Sequence, residues 1–150
     1  MPERGTAGHA ARRPATATGV GRVLVAVYGV FALSASARAG VQLATRFHEA
    51  PIAYLLSAFA GAVYIAATVG LARGYRTLAW GTVLIELIGV LAVGTASRVL
   101  PGDFPRATVW SGYGAGYGWV PLVLPVVGLL WLRRTRSPAA TSHTGTGDAQ

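Results

Sequence analysis

Four apolar stretches, each long enough to cross a lipid bilayer as a helix, are the main constraint on the fold of this 150-residue chain. A bilayer core about 30 Å thick needs about 20 mainly apolar residues in helical form. The sequence provides such stretches at residues 23–43, 52–71, 78–97 and 113–132. Charged residues make up only 12% of the chain, too few to cover the surface of a soluble domain of this size. We therefore predict an all-α, up-down-up-down bundle of four transmembrane helices.

The arginines predict how this bundle is oriented. They flank the apolar stretches instead of forming a stripe, which favours topology signals and argues against nucleic-acid binding. Nine fall on one side of the predicted bundle, namely Arg4, Arg12, Arg13, Arg22, Arg73, Arg76, Arg133, Arg134 and Arg136. Three fall on the other side, namely Arg46, Arg98 and Arg106. Because cytoplasmic loops carry the excess of basic residues, both termini are expected in the cytoplasm.

The predicted transmembrane domain covers residues 20–136. Its flanks, residues 1–19 and 137–150, are rich in Ala, Thr, Ser, Gly and Pro. Such segments bury too little apolar surface to offset the entropy of ordering, so we expect two disordered cytoplasmic tails.

A second interpretation of the first stretch stays open. Basic residues, an apolar run and the small residues 35–37 are also typical of a cleavable secretory signal. Apolar residues resume after Arg38, which favours a full-length span instead. Cleavage would leave three helices with the same orientation.

Glu86 is the main candidate for a functional residue, because it is the one charged side chain within the third stretch. A carboxylate at mid-span costs roughly 2.5–3.5 kcal/mol on insertion scales, so such groups face the bundle interior or a wet cavity. At the helical period Thr82 shares its face, while Leu84 and Leu91 fall roughly opposite. We expect Glu86 to be a structural hydrogen-bonding group, a proton- or cation-coupled site, or a contact to a partner subunit.

Three further residues complete the candidate intramembrane polar site: Arg38, Tyr64 and Thr82. Arg38 and Glu86 differ in depth by roughly 10 Å, a gap that long side chains partly close. The alternative is that Arg38 extends toward the outer membrane interface. Tyr64 is expected near the depth of Glu86 and within reach of a hydrogen bond.

Motifs for catalysis and metal binding are absent from the sequence. There is no nucleophile elbow, zinc-protease helix, Walker loop or paired-carboxylate motif, so we expect neither an enzyme nor a cofactor. His48, Glu49 and Asp103 lie in or near the predicted outer loops, but they are too scattered for a metal motif.

Residues 110–119 read WSGYGAGYGW and contain the Gly-Tyr-Gly of a potassium-channel filter. The residues that flank this tripeptide in such filters are missing. We instead expect its aromatic residues, Trp110, Tyr113, Tyr117 and Trp119, to form a belt at the membrane interface.

The layout from Gly21-Arg22-Val23-Leu24 to Arg133-Arg134 resembles the small four-helix integral membrane proteins common in actinobacteria. This resemblance rests on composition and span arrangement, and it implies a multi-pass location in the plasma membrane. Small multidrug-resistance exporters also combine four short helices with a membrane glutamate. Theirs lies in the first helix, however, whereas Glu86 lies in the third.

Two functions from different classes follow from these features. Short loops and small-residue helix faces favour a structural or accessory subunit of a membrane complex. The intramembrane carboxylate favours a minimal proton- or cation-coupled transporter that uses Glu86. The expected partners are the lipid bilayer and either another membrane protein or a second copy of the chain, and no nucleic acid.

Overall fold

The computed structural model describes residues 19–135, and within this range all regular structure is helical. Four α-helices are present, α1 (Gly19–Arg46), α2 (Pro51–Arg73), α3 (Arg76–Val99) and α4 (Val120–Arg134). Short 3-10 segments lie in the connections, at Phe47–Glu49, Pro101–Asp103 and Ser111–Tyr117. The all-α prediction is confirmed. Apart from Gly19, the predicted tails lie outside the described residues.

Three helices, α1, α2 and α3, are long and apolar enough to cross a membrane, and α4 forms a fourth span if the segment before it is included. Many large apolar side chains point away from the bundle, such as Leu33 and Ile88, which are 74% and 65% exposed. Water-soluble proteins rarely expose large continuous apolar patches. The outer surface of the described chain is therefore suited to lipid.

The fourth apolar stretch differs from the continuous span predicted over residues 113–132. Its α-helix begins only at Val120, and the segment Ser111–Tyr117 lies at about 100° to it. Positive φ angles of 56° at Gly112, 79° at Gly114 and 62° at Gly118, together with those at Tyr113 and Trp119, produce this bend. Glycine adopts such angles without steric cost. Hydropathy counts these glycines as apolar, but their backbone freedom breaks the helix that hydropathy predicts.

Consecutive helices pack side by side, α1 on α2, α2 on α3 and α3 on α4, while α1 touches α4 only lightly. Helix α2 ends at Gly74, whose φ of 71° lets the chain turn directly into α3. Beside this turn, a Cβ atom on Gly70 would lie 2.9 Å from the backbone nitrogen of Ala79. The absence of a side chain at Gly70 therefore sets how closely the two helices approach.

Arg76 joins the start of α3 to the end of α4. Its guanidinium group donates hydrogen bonds to the carbonyl oxygens of Leu132 at 2.8 Å and Thr135 at 2.9 Å. The last carbonyls of a helix lack helical partners and attract cations, which explains why an arginine is favoured here. We call this end of the bundle the short-turn end. The opposite end, with the connections at residues 47–50 and 100–110, is the long-loop end.

Candidate functional site

Glu86 lies in the middle of α3 and is fully buried. The hydroxyl group of Tyr28 in α1 donates a 2.7 Å hydrogen bond to its Oε2 atom. To make this bond the Tyr28 side chain crosses the bundle interior, and its hydroxyl oxygen also lies 3.4 Å from the place of a Cβ on Gly128 in α4. The bond between Tyr28 and Glu86 therefore connects α1 with α3, which are not consecutive along the chain.

Tyr64 of α2 and Trp110 of the long connection extend this arrangement into a polar cluster of four residues: Tyr28, Tyr64, Glu86 and Trp110. The indole Nε1 of Trp110 donates a 3.1 Å hydrogen bond to the Tyr64 hydroxyl oxygen. The Tyr64 hydroxyl group also lies beside Glu86. All four side chains are at most 1% exposed.

Gly89 makes room for the Trp110 ring against α3. A Cβ atom at Gly89 would lie only 2.5 Å from the Cζ3 atom of the indole. Phe59 of α2 packs edge-on against the same ring, with centroids 6.0 Å apart. Gly89 lies one turn after Glu86 in α3. Because the Trp110 indole packs against this glycine, the long connection comes close to the carboxyl group.

Tyr28, Tyr64 and Glu86 lie at nearly the same depth in the bundle. Tyr28 is nine residues after the start of α1, Tyr64 nine before the end of α2, and Glu86 ten after the start of α3. At 1.5 Å per residue, each is about 14–15 Å from the short-turn end. Tyr28 is missing from the sequence-predicted site, although the depth comparison that indicates Tyr64 also indicates Tyr28.

The other two residues of the predicted site, Arg38 and Thr82, make different contacts. Arg38 lies nineteen residues into α1, about 28 Å from the short-turn end, which leaves it too far from Glu86 for an ion pair. Its guanidinium group donates instead to the Tyr117 hydroxyl and, at 3.4 Å, to the Ala107 carbonyl oxygen. Thr82 is buried one turn before Glu86, but its hydroxyl donates within α3 to the Leu78 carbonyl oxygen at 2.8 Å.

The predicted aromatic belt is divided between two environments. Trp110 is buried in the polar cluster, whereas Trp119 is 54% exposed beside the start of α4. Tyr117 contacts the Phe31 ring at a centroid distance of 6.0 Å. Trp110 is thus a core residue, because the bend after it turns the indole inward.

The groups of the polar cluster can form hydrogen bonds, and the Glu86 carboxyl group can hold a proton. Oε1 of Glu86 has no hydrogen-bond partner within residues 19–135. Glu86 lines neither the large cavity at the long-loop end nor the small one beside Phe31. Within the described chain, no group of three metal-ligating side chains comes together.

Comparisons of the chain with protein-family models, with curated proteins and with solved structures found no match. What the polar cluster does is therefore inferred from its own residues and contacts.

Proposed function

We propose that this chain is a multi-pass protein of the plasma membrane that serves as a structural or accessory subunit of a membrane complex. In this proposal the helices run up-down-up-down, with both termini in the cytoplasm. The long apolar helices and their exposed aliphatic side chains support the membrane location. The arginine count of the sequence supports the orientation, with nine arginines predicted on the side of the termini and of the turn between α2 and α3, against three on the other side.

The observation that carries the structural role is the enclosure of Glu86. A transport carboxylate has to exchange its proton or cation with water on both sides of a membrane, which requires a path to the carboxyl group. Glu86 is instead fully buried, bonded to Tyr28 and packed beside Tyr64. Permanent neutral partners of this kind are what a buried polar group needs in order to hold helices together.

The energy of the hydrogen bonds in the polar cluster is sufficient to help hold the helices together. Hydrogen bonds between transmembrane helices contribute about 0.6 kcal/mol on average and up to about 1.7 kcal/mol. The Tyr28 bond joins α1 to α3, and the Tyr64 bond joins α2 to the long connection. A bundle fixed in this way presents a constant apolar surface, on which another membrane protein or a second copy of the chain can pack.

A second function, a minimal proton- or cation-coupled transporter, is favoured by one observation. The Oε1 atom of Glu86 has no hydrogen-bond partner in the described part of the chain. An uncommitted carboxylate oxygen is the atom that a proton or a small cation would bind.

Substitution of Glu86 by Gln separates the two functions, because the amide oxygen still accepts the Tyr28 hydrogen bond but the group no longer titrates. Full-length wild type and Glu86→Gln are reconstituted into vesicles, and proton and Na⁺ fluxes are followed under an imposed gradient. The structural role predicts equal fluxes and nearly equal unfolding midpoints. A flux that disappears in Glu86→Gln, while the unfolding midpoint stays unchanged, would overturn the structural proposal in favour of transport.

Tyr28→Phe tests the structural role directly by removing one hydroxyl group. We expect it to lower the free energy of unfolding by about 1 kcal/mol, because Glu86 loses its best hydrogen bond in an apolar interior. Tyr75→Phe is the matched control, since Tyr75 is 54% exposed in the turn between α2 and α3. If the two substitutions lowered the free energy of unfolding equally, the buried hydrogen bond would not stabilise the bundle.

A further inference from the structure

Arg38, Gln42 and Arg46 follow one another at intervals of four residues in the last part of α1. Residues four apart lie on one face of a helix, each above the one before. The two guanidinium groups are therefore carried by the same face, on backbone positions about 12 Å apart.

This face of α1 borders a cavity of about 760 Å³ at the long-loop end. The other walls are formed by Tyr54 of α2 and by the connection around Arg106 and Ala107. Three arginines from two separate parts of the chain thus line one space, which we call the arginine cavity.

The positive charge of the arginine cavity is only partly balanced. Nη2 of Arg106 lies 3.1 Å from Oε2 of Glu49, and the Tyr54 hydroxyl donates to the same oxygen at 3.4 Å. Arg38 bonds only to neutral groups, and Arg46 has no hydrogen bond or ion pair to any described residue. Three arginines against one carboxylate leave a surplus of two positive charges.

Gln42 adds an uncommitted polar group between the two arginines of α1. Its Oε1 atom is buried and has no hydrogen-bond partner in the part of the chain that the structure describes. Rotation of the amide by half a turn would exchange this oxygen for an N–H group, which is the orientation that an anion in the cavity requires.

We propose that the arginine cavity binds a phosphate group, carried either by a phospholipid headgroup or by a soluble phosphate. Guanidinium groups bind phosphate through paired, charge-assisted N–H···O bonds. The surplus of two positive charges is enough for the single negative charge of a lipid phosphodiester and for the higher charge of inorganic phosphate. The volume of about 760 Å³ far exceeds the roughly 30 Å³ of one water molecule, so the cavity suits a polyatomic anion and its attached groups better than a halide.

The position along α1 fits a lipid headgroup as one source of the phosphate. With 28 residues, α1 extends about 42 Å, which exceeds the bilayer core of about 30 Å. The part of α1 that carries Gln42 and Arg46 therefore reaches the headgroup layer at the long-loop end. Arginine side chains commonly extend toward phosphates at this level.

The test uses the full-length, delipidated protein in a nonionic detergent, with its tryptophan fluorescence as the readout during thermal unfolding. Inorganic phosphate and a short-chain phosphatidylglycerol are titrated separately, each against NaCl at equal ionic strength. We expect a saturable rise in the unfolding midpoint. Binding of inorganic phosphate identifies a soluble source, and a response to the lipid alone identifies the headgroup.

Arg46→Gln is the decisive variant, because Arg46 is exposed and has no described partner whose loss would disturb the fold. We expect its ligand Kd to rise roughly tenfold. Arg98→Gln is the matched control, an exposed arginine of α3 at the same end that does not line the cavity. The absence of saturable binding to either ligand, or equal weakening in the two variants, would overturn the proposal.

Discussion

The polar cluster and the arginine cavity both contain groups that are costly to place in a bilayer, yet they hold them in opposite ways. Glu86 is fully buried, and the neutral Tyr28 hydroxyl bonds to it inside a packed core. Arg46 is exposed beside a cavity and makes no contact of this kind with the described residues. The first arrangement encloses the carboxyl group and gives its Oε2 atom a neutral donor, whereas the second leaves the charge of Arg46 available.

If the two proposals hold, an ionisable residue in an apolar helix is not by itself a functional site. A carboxyl group with tyrosine partners in a closed core contributes to helix packing. An exposed guanidinium group beside a cavity, such as that of Arg46, has lost little solvation and keeps its hydrogen-bond donors free for a ligand. Substitutions in the polar cluster should therefore change stability, and substitutions in the arginine cavity should change binding.

The largest expected effect is that of Trp110→Ala, which removes the buried indole from the polar cluster. Deletion of a buried Trp or Phe side chain typically costs about 3–5 kcal/mol, since transfer energy and packing are both lost. Trp119→Ala is the control, because that indole is 54% exposed. The free energy of unfolding is measured by circular dichroism in mixed micelles. If both substitutions cost the same, Trp110 is not part of the core.

Gly89→Ala probes the same contact by adding a methyl group instead of removing a ring. The new Cβ would lie 2.5 Å from the Trp110 ring, and such overpacking costs about 1–3 kcal/mol. The control Gly81→Ala places a methyl group where no atom lies within 4 Å. Because alanine is the better helix former, that variant should be stabilised by roughly 0.5–1 kcal/mol. In the same micelles, the free energy of unfolding should fall for Gly89→Ala and rise for Gly81→Ala. A change of the same sign in both variants would contradict the packing of Trp110 against Gly89.

Much of the fold is predictable from the sequence, because hydropathy reports helix length and apolar faces. The stretches at residues 23–43, 52–71 and 78–97 all lie within the helices of the structure. The fourth stretch is the exception, since the bend at Gly112 to Trp119 depends on positive φ angles that a hydropathy average does not record.

The candidate site is less predictable for a related reason. Charge alone suggests Arg38 as a counter-charge for Glu86, whereas burial selects neutral donors at the same depth. Tyr28 and Tyr64 meet that condition. The arginine cavity has a sequence signal in the four-residue intervals from Arg38 through Gln42 to Arg46. Its third wall comes from Arg106, whose approach depends on the path of the long connection, and local sequence patterns do not specify that path.

The smallest expected effect on stability comes from Glu49→Gln, which breaks the ion pair with Arg106. These side chains are 43% and 54% exposed, and such surface pairs contribute about 0–1 kcal/mol because solvent screens them. The same substitution raises the surplus charge of the arginine cavity from two to three, so phosphate binding should become tighter. Asp103→Asn is the control, an exposed carboxylate at the same end that does not line the cavity. We expect Glu49→Gln, and not Asp103→Asn, to bind phosphate more tightly at almost unchanged stability. This result would distinguish the arginine cavity from the polar cluster, where the loss of one partner should destabilise the fold. A large loss of stability without a change in phosphate affinity would show instead that the arginines at the long-loop end hold the loops together.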